Sequence, residues 1–180
     1  YLHLGTGVGM GLILDGHLYR GSTGAAGEIG YLPLAGTDVR SPESRRRGAL
    51  DAAASAAGVV AAARSLGMAP PLTAKGVFGA ARGGDRKARR AVAAEAERIA
   101  LAAAAAAAVV DPELVILGGG IGGNADLLLE PVEHELREIS PFRPRIEVST
   151  LGEEATLHGA VWMALQAAHD RLFERGKVSA

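Results

Sequence analysis

The sequence predicts an α/β domain in which a mixed, five-stranded sheet is flanked by helices. Short apolar runs separated by turn residues open the chain, and long alanine-rich stretches fill its middle. Apolar runs then alternate with helical patterns in its last third, which is typical of α/β proteins. The 180 residues, of which 48% are hydrophobic and 22% are charged, are suited to one folded domain.

The first half of the sheet is predicted from the first twenty residues. Residues 1–6, 8–14 and 18–20 are strand-like runs. The Asp15-Gly16 pair is a strong hairpin signal, because a two-residue turn of this type needs positive φ angles at both central positions. Residues 21–46 are rich in Gly, Pro, Ser and Arg, and they predict a long loop. Long loops in compact domains usually carry function.

From residue 49 onward the sequence alternates between helix and strand patterns. Gly and Pro residues end the predicted helices. The alanine run at 102–108 favours helix, because Ala has the highest helix propensity and small side chains allow close packing. Helices are predicted at 49–66, 73–81, 85–110 with Asp85 as the N-cap, 126–139 and 153–173, and strands at 114–117 and 146–149.

The composition excludes several classes of protein. With no cysteine, the chain can form neither disulfides nor thiolate metal sites, and it cannot use cysteine catalysis. The net charge of −1 shows no excess of basic residues, so it does not indicate that this part of the protein itself binds nucleic acid or membranes. No apolar run is suited to spanning a bilayer and no signal peptide is visible, so we expect no membrane partner. The absence of cysteine fits a reducing cytoplasm, which is where we expect the protein.

The first candidate site is a glycine-rich turn between two predicted strands. It contains Gly5, Thr6, Gly7 and Gly9. Glycines allow a backbone to approach an anion closely, and successive N–H groups that point the same way form a nest of phosphate size. The alternative is a tight hairpin that needs glycine only for its backbone angles.

A second glycine-rich turn follows a predicted strand and precedes a helix. Gly118, Gly120 and Gly123 have the spacing of a dinucleotide-binding turn, with Glu147 as a candidate ribose partner. Glu147, however, lies farther along than the usual ~20 residues, and a dinucleotide would leave the first turn unexplained. A second interpretation explains both turns: one faces phosphates, and the other, which also contains Gly119, faces a nucleoside.

A third candidate is Glu28, which lies among small residues in the long loop. A carboxylate in such a place can accept the paired hydroxyl hydrogen bonds that sugars offer. The alternative is a solvated loop residue, as most loop carboxylates are.

Together these segments resemble the ROK family (repressor, open reading frame, kinase), which contains bacterial sugar kinases and sugar-responsive transcription regulators. The resemblance covers nearly the whole chain, and its motifs occur in order at residues 4–9, 15–21, 24–30, 111–120 and 152–160. It implies the C-terminal lobe of an actin-like, RNase-H-like ATPase fold. In that fold the turn at 5–9 would contact phosphate, and the turn at 118–120 would lie on the adenosine side.

The resemblance fails at the zinc site of the family's kinases, which is formed by one His and three Cys. The corresponding positions hold Tyr31, Pro42, Ser44 and Ala49. None of these side chains is a zinc ligand of the usual kind, so we expect no zinc.

The sugar contacts that the resemblance implies are retained in part. Glu28 is present, Asp51 stands where Glu is usual, and Tyr31 replaces the imidazole. We therefore expect the chain to be the sugar-sensing effector domain of a ROK transcriptional regulator, a repressor that binds a sugar or sugar phosphate. The alternative is an ATP-dependent, glucokinase-like sugar kinase without the zinc element, and whether ATP binds stays open.

Residues 1–180 are expected to be a single lobe from a longer protein, because the chain opens at Tyr1 inside a predicted strand. By resemblance, the catalytic Asp and the first phosphate loop would lie upstream, so the chain alone is expected to be catalytically inert. A winged-helix domain upstream would bind DNA. The resemblance also implies a homodimer through this lobe, for which the alanine-rich helix offers a close-packing face.

Overall fold

A computed structural model describes residues 1–33 and 38–177. Its strands are β1 (Leu2–Leu4), β2 (Val8–Met10), β3 (Leu12–Leu14), β4 (His17–Tyr19), β5 (Leu114–Gly118) and β6 (Arg145–Val148). Its helices are α1 (Pro42–Arg47), α2 (Ala49–Ala54), α3 (Ala56–Ser65), α4 (Ala74–Arg82), α5 (Arg86–Val110), α6 (Gly119–Gly122), α7 (Ala125–Ile139) and α8 (Ala155–Lys177). Short 3-10 helices lie at Ile29–Tyr31 and Gly152–Glu154.

The main sheet is mixed, as predicted, but its described strands number four rather than five. Their order is β2-β1-β5-β6; β1 pairs antiparallel with β2 and parallel with β5, and β5 pairs parallel with β6. The predicted strand at 8–14 divides at Gly11, because glycine weakens a strand interior. Beyond Gly11 the chain leaves the sheet and forms a separate hairpin, in which β3 pairs with β4.

The turn of that hairpin confirms the prediction from the Asp15-Gly16 pair. Asp15 has a φ of 51° and Gly16 a φ of 78°, so both central residues adopt the positive angles that the turn requires. The Asp15-Gly16 signal is local, since it depends on two adjacent residues and not on packing.

The predicted helix at 49–66 is divided into α2 and α3 at Ser55. Ser55 is extended, with a ψ of 171°, and it is completely buried. The next residue, Ala56, donates its backbone N–H to the carbonyl of Gly5 at 2.8 Å. The break therefore brings the start of α3 against the first glycine turn, a contact that the sequence pattern does not reveal.

The predicted loop at 21–46 contains two short helices, the 3-10 helix at Ile29–Tyr31 and most of α1. Ser41 caps α1 by accepting a hydrogen bond from the N–H of Ser44 at 3.1 Å. Residues 34–37 of this loop lie outside the described residues.

The long helix α5 lies at the centre of the core. It begins as predicted at Asp85, whose carboxylate accepts hydrogen bonds from the N–H groups of Lys87 and Ala88 at 2.8 Å each. It packs against α3, α4 and α7. The alanines of its second half that are buried in this core are Ala102, Ala103, Ala106 and Ala107. One side of the alanine-rich stretch is thus covered within the chain, while Leu101 and Val109 on the same helix are exposed. A homodimer through this helix stays a prediction.

Helix α8 packs less closely than α5. Large apolar side chains along it are exposed, among them Leu157, Val161, Trp162 and Leu165. Across the residues that the structure describes, no helix has both the length and the apolar character needed to cross a membrane.

Candidate functional site

The two glycine turns meet at one cleft. Strands β1 and β5 are parallel neighbours, with His3 opposite Gly118, so the segments that follow them emerge at the same edge of the sheet. In α/β sheets, ligands bind at this edge, beyond the carboxyl ends of the strands. The cleft has a volume of about 500 Å³, within the range of small-molecule sites.

The first turn contributes only part of its predicted set to the cleft. Gly5 and Thr6 line it. Gly7 faces the other way, since a Cβ atom there would lie 3.1 Å from Oδ1 of Asp51. Gly9 lies in β2, opposite His3, and does not line the cleft.

The second turn contributes Gly119 and Gly120. Gly119 has a φ of 81°, and a Cβ atom there would lie only 2.4 Å from the carbonyl oxygen of Leu4. The close approach of the turn to β1 therefore requires glycine. Gly118 faces Tyr1, because a Cβ atom at Gly118 would overlap the Tyr1 hydroxyl.

Glu147 does not serve this cleft. It lies on β6, is exposed, and has an oxygen 3.6 Å from a guanidinium nitrogen of Arg145. It is not among the residues that line the cleft. Glu147 therefore does not provide the ribose contact that the dinucleotide interpretation requires.

Helix α4 forms a wall of the cleft that sequence reasoning missed. Lys75, Phe78 and Arg82 all line the cleft, and so does His3 from β1. The α4 residues are spaced at i, i+3 and i+7, which places them on one face of a helix. That spacing could have indicated a shared face of α4, but it did not show that this face would meet the glycine turns.

A network of side chains joins this wall to the second turn. Arg82 donates to both carboxylate oxygens of Asp126 at 2.6 and 2.7 Å, and to Oδ1 of Asn124 at 2.7 Å. Asn124 in turn donates to the carbonyls of Gly120 at 2.9 Å and Ile121 at 2.7 Å. The hydrogen bonds from Arg82 hold the pKa of the Asp126 carboxyl below its ordinary value.

On the opposite side of the first turn, Asp51 is bonded within the chain. Its Oδ1 accepts the backbone N–H of Val8 at 2.9 Å. Its Oδ2 accepts hydrogen bonds from Nε and Nη2 of Arg47 at 3.1 and 2.9 Å. Asp51 is buried and ties β2 to the end of α1. Sequence reasoning assigned it to a sugar and did not anticipate this structural role.

Glu28 directly precedes the 3-10 helix at Ile29–Tyr31, and Tyr31 is the last residue of that helix. The 3-10 helix packs against α2, the helix that carries Asp51. The Tyr31 hydroxyl donates to the carbonyl of Arg46 at 3.1 Å, and the side chain is 54% exposed. Glu28 is exposed and its side chain caps no backbone N–H. Gly27 anchors the segment, because its carbonyl accepts the N–H of Met10 at 2.9 Å. The three predicted sugar residues thus lie in one region, in different bonding states.

The residues at the family's zinc positions do not fit that metal. Tyr31 uses its hydroxyl on a backbone carbonyl, and Pro42 and Ala49 have no ligating atom. Within residues 1–33 and 38–177, no group of three or more His, Asp or Glu side chains is arranged to hold a metal ion. The absence of zinc stays a prediction.

Comparison with known proteins identifies relatives along most of the chain. The bifunctional enzyme NanE/NanK of Brucella melitensis is 36% identical over 91% of this chain and 30% of its own length. A xylose repressor of Caldicellulosiruptor bescii is 29% identical over 92% of this chain and 45% of its own length. Glucokinase and N-acetylmannosamine kinase names also occur among the relatives. The chain therefore spans half or less of these two relatives.

Solved structures share the fold. A ROK family glucokinase from Streptomyces griseus, in complex with glucose and AMPPNP, superposes with a TM-score of 0.75 at 28% identity, over 92% of this chain and 59% of that one. The α/β architecture with its mixed sheet is thus that of the ROK sugar kinases, the actin-like ATPase fold. Residues 1–167 match the sequence model of the ROK family, and the chain belongs to that family.

Proposed function

We propose that this chain is the sugar-sensing effector part of a ROK transcription regulator. A sugar or sugar phosphate would bind near Glu28 and alter the affinity of an upstream winged-helix domain for DNA. A sensor needs only a difference in ligand affinity between two states, and it needs no in-line geometry for phosphoryl transfer. The xylose repressor among the relatives supports this class.

The observation that carries this proposal is the different bonding of two carboxylates. Asp51 uses both of its oxygens on Val8 and Arg47, so it holds the loop together. Glu28, which directly precedes the neighbouring 3-10 helix, is exposed, and its side chain caps no backbone group. Its carboxylate is therefore available to accept sugar hydroxyls.

The second candidate function is ATP-dependent sugar phosphorylation in the cytoplasm. It is favoured by the cleft, which joins both glycine turns in one space of about 500 Å³. The first turn separates that cleft from the region of Asp51 and Glu28, so a nucleotide's phosphates would lie between nucleoside and sugar. Kinase names are also more numerous than repressor names among the relatives.

Glu28→Ala in the natural full-length protein tests the sugar site. Loss of a charge-assisted hydrogen bond, worth about 1.5–3 kcal/mol, should weaken sugar binding about tenfold to a hundredfold. Titration calorimetry with glucose, xylose and N-acetylmannosamine measures this affinity. Glu138→Ala, an exposed carboxylate on α7, is the matched control. Unchanged sugar affinity in Glu28→Ala would make Glu28 a solvated loop residue.

A phosphoryl-transfer assay separates the two candidates. The sensor should bind one of these sugars without consuming ATP, and the sugar should change the retention of the protein on DNA fragments from its own genome. Sugar-dependent production of ADP would overturn the sensor and establish the kinase.

A homodimer is part of the proposal, and two neighbouring segments besides the alanine-rich helix expose apolar surface for it. The hairpin of β3 and β4 exposes Ile13 and Tyr19, and α8 exposes Trp162 and Leu165. Arg20 contacts the sulfur of Met163 at 3.9 Å, which brings the hairpin next to α8. Exposed apolar surface of this kind marks interaction sites. Sedimentation of the full-length protein as a monomer at micromolar concentration would contradict a dimer.

A further inference from the structure

The cleft between the glycine turns has basic side chains and no acidic residue in its lining. His3, Lys75 and Arg82 line it. The charge of Arg82 is compensated, because Asp126 accepts two of its hydrogen bonds. Within the described part of the chain, the Lys75 ammonium has no hydrogen-bond or ion-pair partner. Lys75 is therefore the uncompensated cation of the cleft, and it favours an anionic ligand.

The position of Lys75 is set by the helix that carries it. Phe78, on the same face of α4, is only 2% exposed and anchors the helix in the core. Lys75 and Arg82 are seven residues apart, about 10 Å along a helix axis. Because Arg82 is bonded at the second glycine turn, α4 extends along the cleft from that turn to Lys75.

The network around Arg82 links this wall to the second turn. Asn124 accepts a hydrogen bond from Arg82 and donates to the backbone of Gly120 and Ile121, so a continuous series of bonds joins α4 to α6. Asp126 accepts hydrogen bonds from Nε and Nη2 of the same guanidinium. The loss of Arg82 would release the helix from the turn without removing any side chain from the buried core.

We propose that Lys75 binds the phosphate groups of a ligand in this cleft, and that Arg82 is a positioning residue that holds α4 against the second glycine turn. This inference rests on the proposed use of the glycine turns for phosphate and nucleoside. The phosphate belongs either to a nucleotide or to a sugar phosphate, and the ligands of the test distinguish these sources.

The test measures the affinities of the full-length protein for ATP, ADP, adenosine and glucose 6-phosphate. Lys75→Ala should lower the affinity for ATP about tenfold to a hundredfold, as expected for a lost charge-assisted contact. The affinity for ADP should fall less, and that for adenosine should not change. Lys87→Ala is the control, because Lys87 donates to the carbonyl of Gly67 and lies outside the cleft.

Arg82→Ala should give a different pattern of affinities. Because Arg82 positions the wall and touches no phosphate, its loss should weaken ATP, ADP and adenosine by similar factors. Arg82→Lys keeps the charge but loses the paired geometry with Asp126, and should restore only part of the affinity. A thermal melt of each variant reports whether the fold is intact.

Each result decides one part of the inference. An unchanged ATP affinity in Lys75→Ala, or an equal loss for adenosine, overturns the role of Lys75 while nucleotide binding stands. A loss confined to glucose 6-phosphate keeps the role of Lys75 and overturns the nucleotide. If the parent protein binds none of the four ligands, the phosphate site is overturned, while sugar sensing keeps its own test at Glu28.

Discussion

The first glycine turn joins two antiparallel strands, whereas the second leads from a parallel strand into a helix. In the first turn, a Cβ atom at Gly5 would meet the His3 ring at 3.0 Å, and one at Gly7 would meet the Asp51 carboxylate at 3.1 Å. In the second turn, Gly119 has a φ of 81° and lies against a backbone carbonyl. The first turn therefore needs glycine because of neighbouring side chains, and the second because of the backbone itself.

This difference shows that similar glycine motifs have unequal tolerance to substitution. Side chains can move by a few tenths of an ångström, but the carbonyl of Leu4 belongs to the backbone of the sheet, where Leu4 pairs with Val8 of β2. Three substitutions test this difference and a fourth, in α5, serves as a reference; they are ordered from the largest expected effect to the smallest.

Gly119→Ala should have the largest effect, a loss of about 4 kcal/mol in the free energy of unfolding. The new methyl group would occupy a left-handed conformation and lie 2.4 Å from the carbonyl oxygen of Leu4. Urea denaturation measures the loss. Gly123→Ala is the control, because its Cβ atom would lie 3.3 Å from the carbonyl of Gly119 at an ordinary φ of −68°. A loss below about 1 kcal/mol at Gly119 would remove the distinction between the turns.

Glu95→Gln provides a reference for stability outside both turns. Glu95 is completely buried in α5, and burial raises the pKa of its carboxyl to about 8, against the opposing effect of Arg98. Since the folded pKa lies above the unfolded value, the parent protein loses stability as the pH rises from about 4.5 to about 8.

The glutamine variant should therefore be more stable than the parent at pH 7, on the order of 3 kcal/mol, and nearly equal to it at pH 4. Unfolding curves across this pH range measure the difference. Ligand binding in the cleft should not change, which separates global stability from effects on the turns. A variant that is less stable than the parent at pH 7 would show that the Glu95 carboxylate is charged and well paired.

Asp51→Ala should cost about 2 kcal/mol, because the buried N–H of Val8 loses its acceptor. Arg47 is partly exposed, so the loss of its ion pair adds little. Asp51→Asn keeps an acceptor for Val8 and should cost less. Gly7→Ala should also be tolerated better in the Asp51→Ala background, which a double-mutant cycle measures. Additive losses would mean that Asp51 does not limit the space at Gly7.

Gly9→Ala should have the smallest effect, a gain of about 0.5 kcal/mol. Gly9 lies in the edge strand β2, and a Cβ atom there would meet nothing within 4 Å. Alanine reduces the conformational freedom of the unfolded chain without a contact to disturb. A loss above about 1 kcal/mol in chemical denaturation would show that the first turn also depends on the glycine backbone.

Features that depend on adjacent residues could be predicted from the sequence. The hairpin at Asp15 and Gly16 and the cap at Asp85 have the predicted geometry, because each is satisfied by a dihedral preference or by N–H groups two or three residues away. The sequence predicted that one glycine turn faces phosphates and the other a nucleoside, but it did not show that the two turns share one cleft. The face of α4 that completes their cleft was not foreseen.

The chain's sequence by itself determined the mixed α/β class, the order of most elements, the family and the positions of the two glycine turns, because these follow from local periodicity and short motifs. Tertiary structure alone decided which charged residues bond within the fold and which remain available to bind a ligand. Asp51 bonds to Val8, 43 positions away, and Arg82 bonds to Asp126, 44 positions away. Neither Lys75 nor Glu28 differs in sequence pattern from such residues. Only the packing of distant segments leaves these two charges at the surface without a partner among the residues that the structure describes.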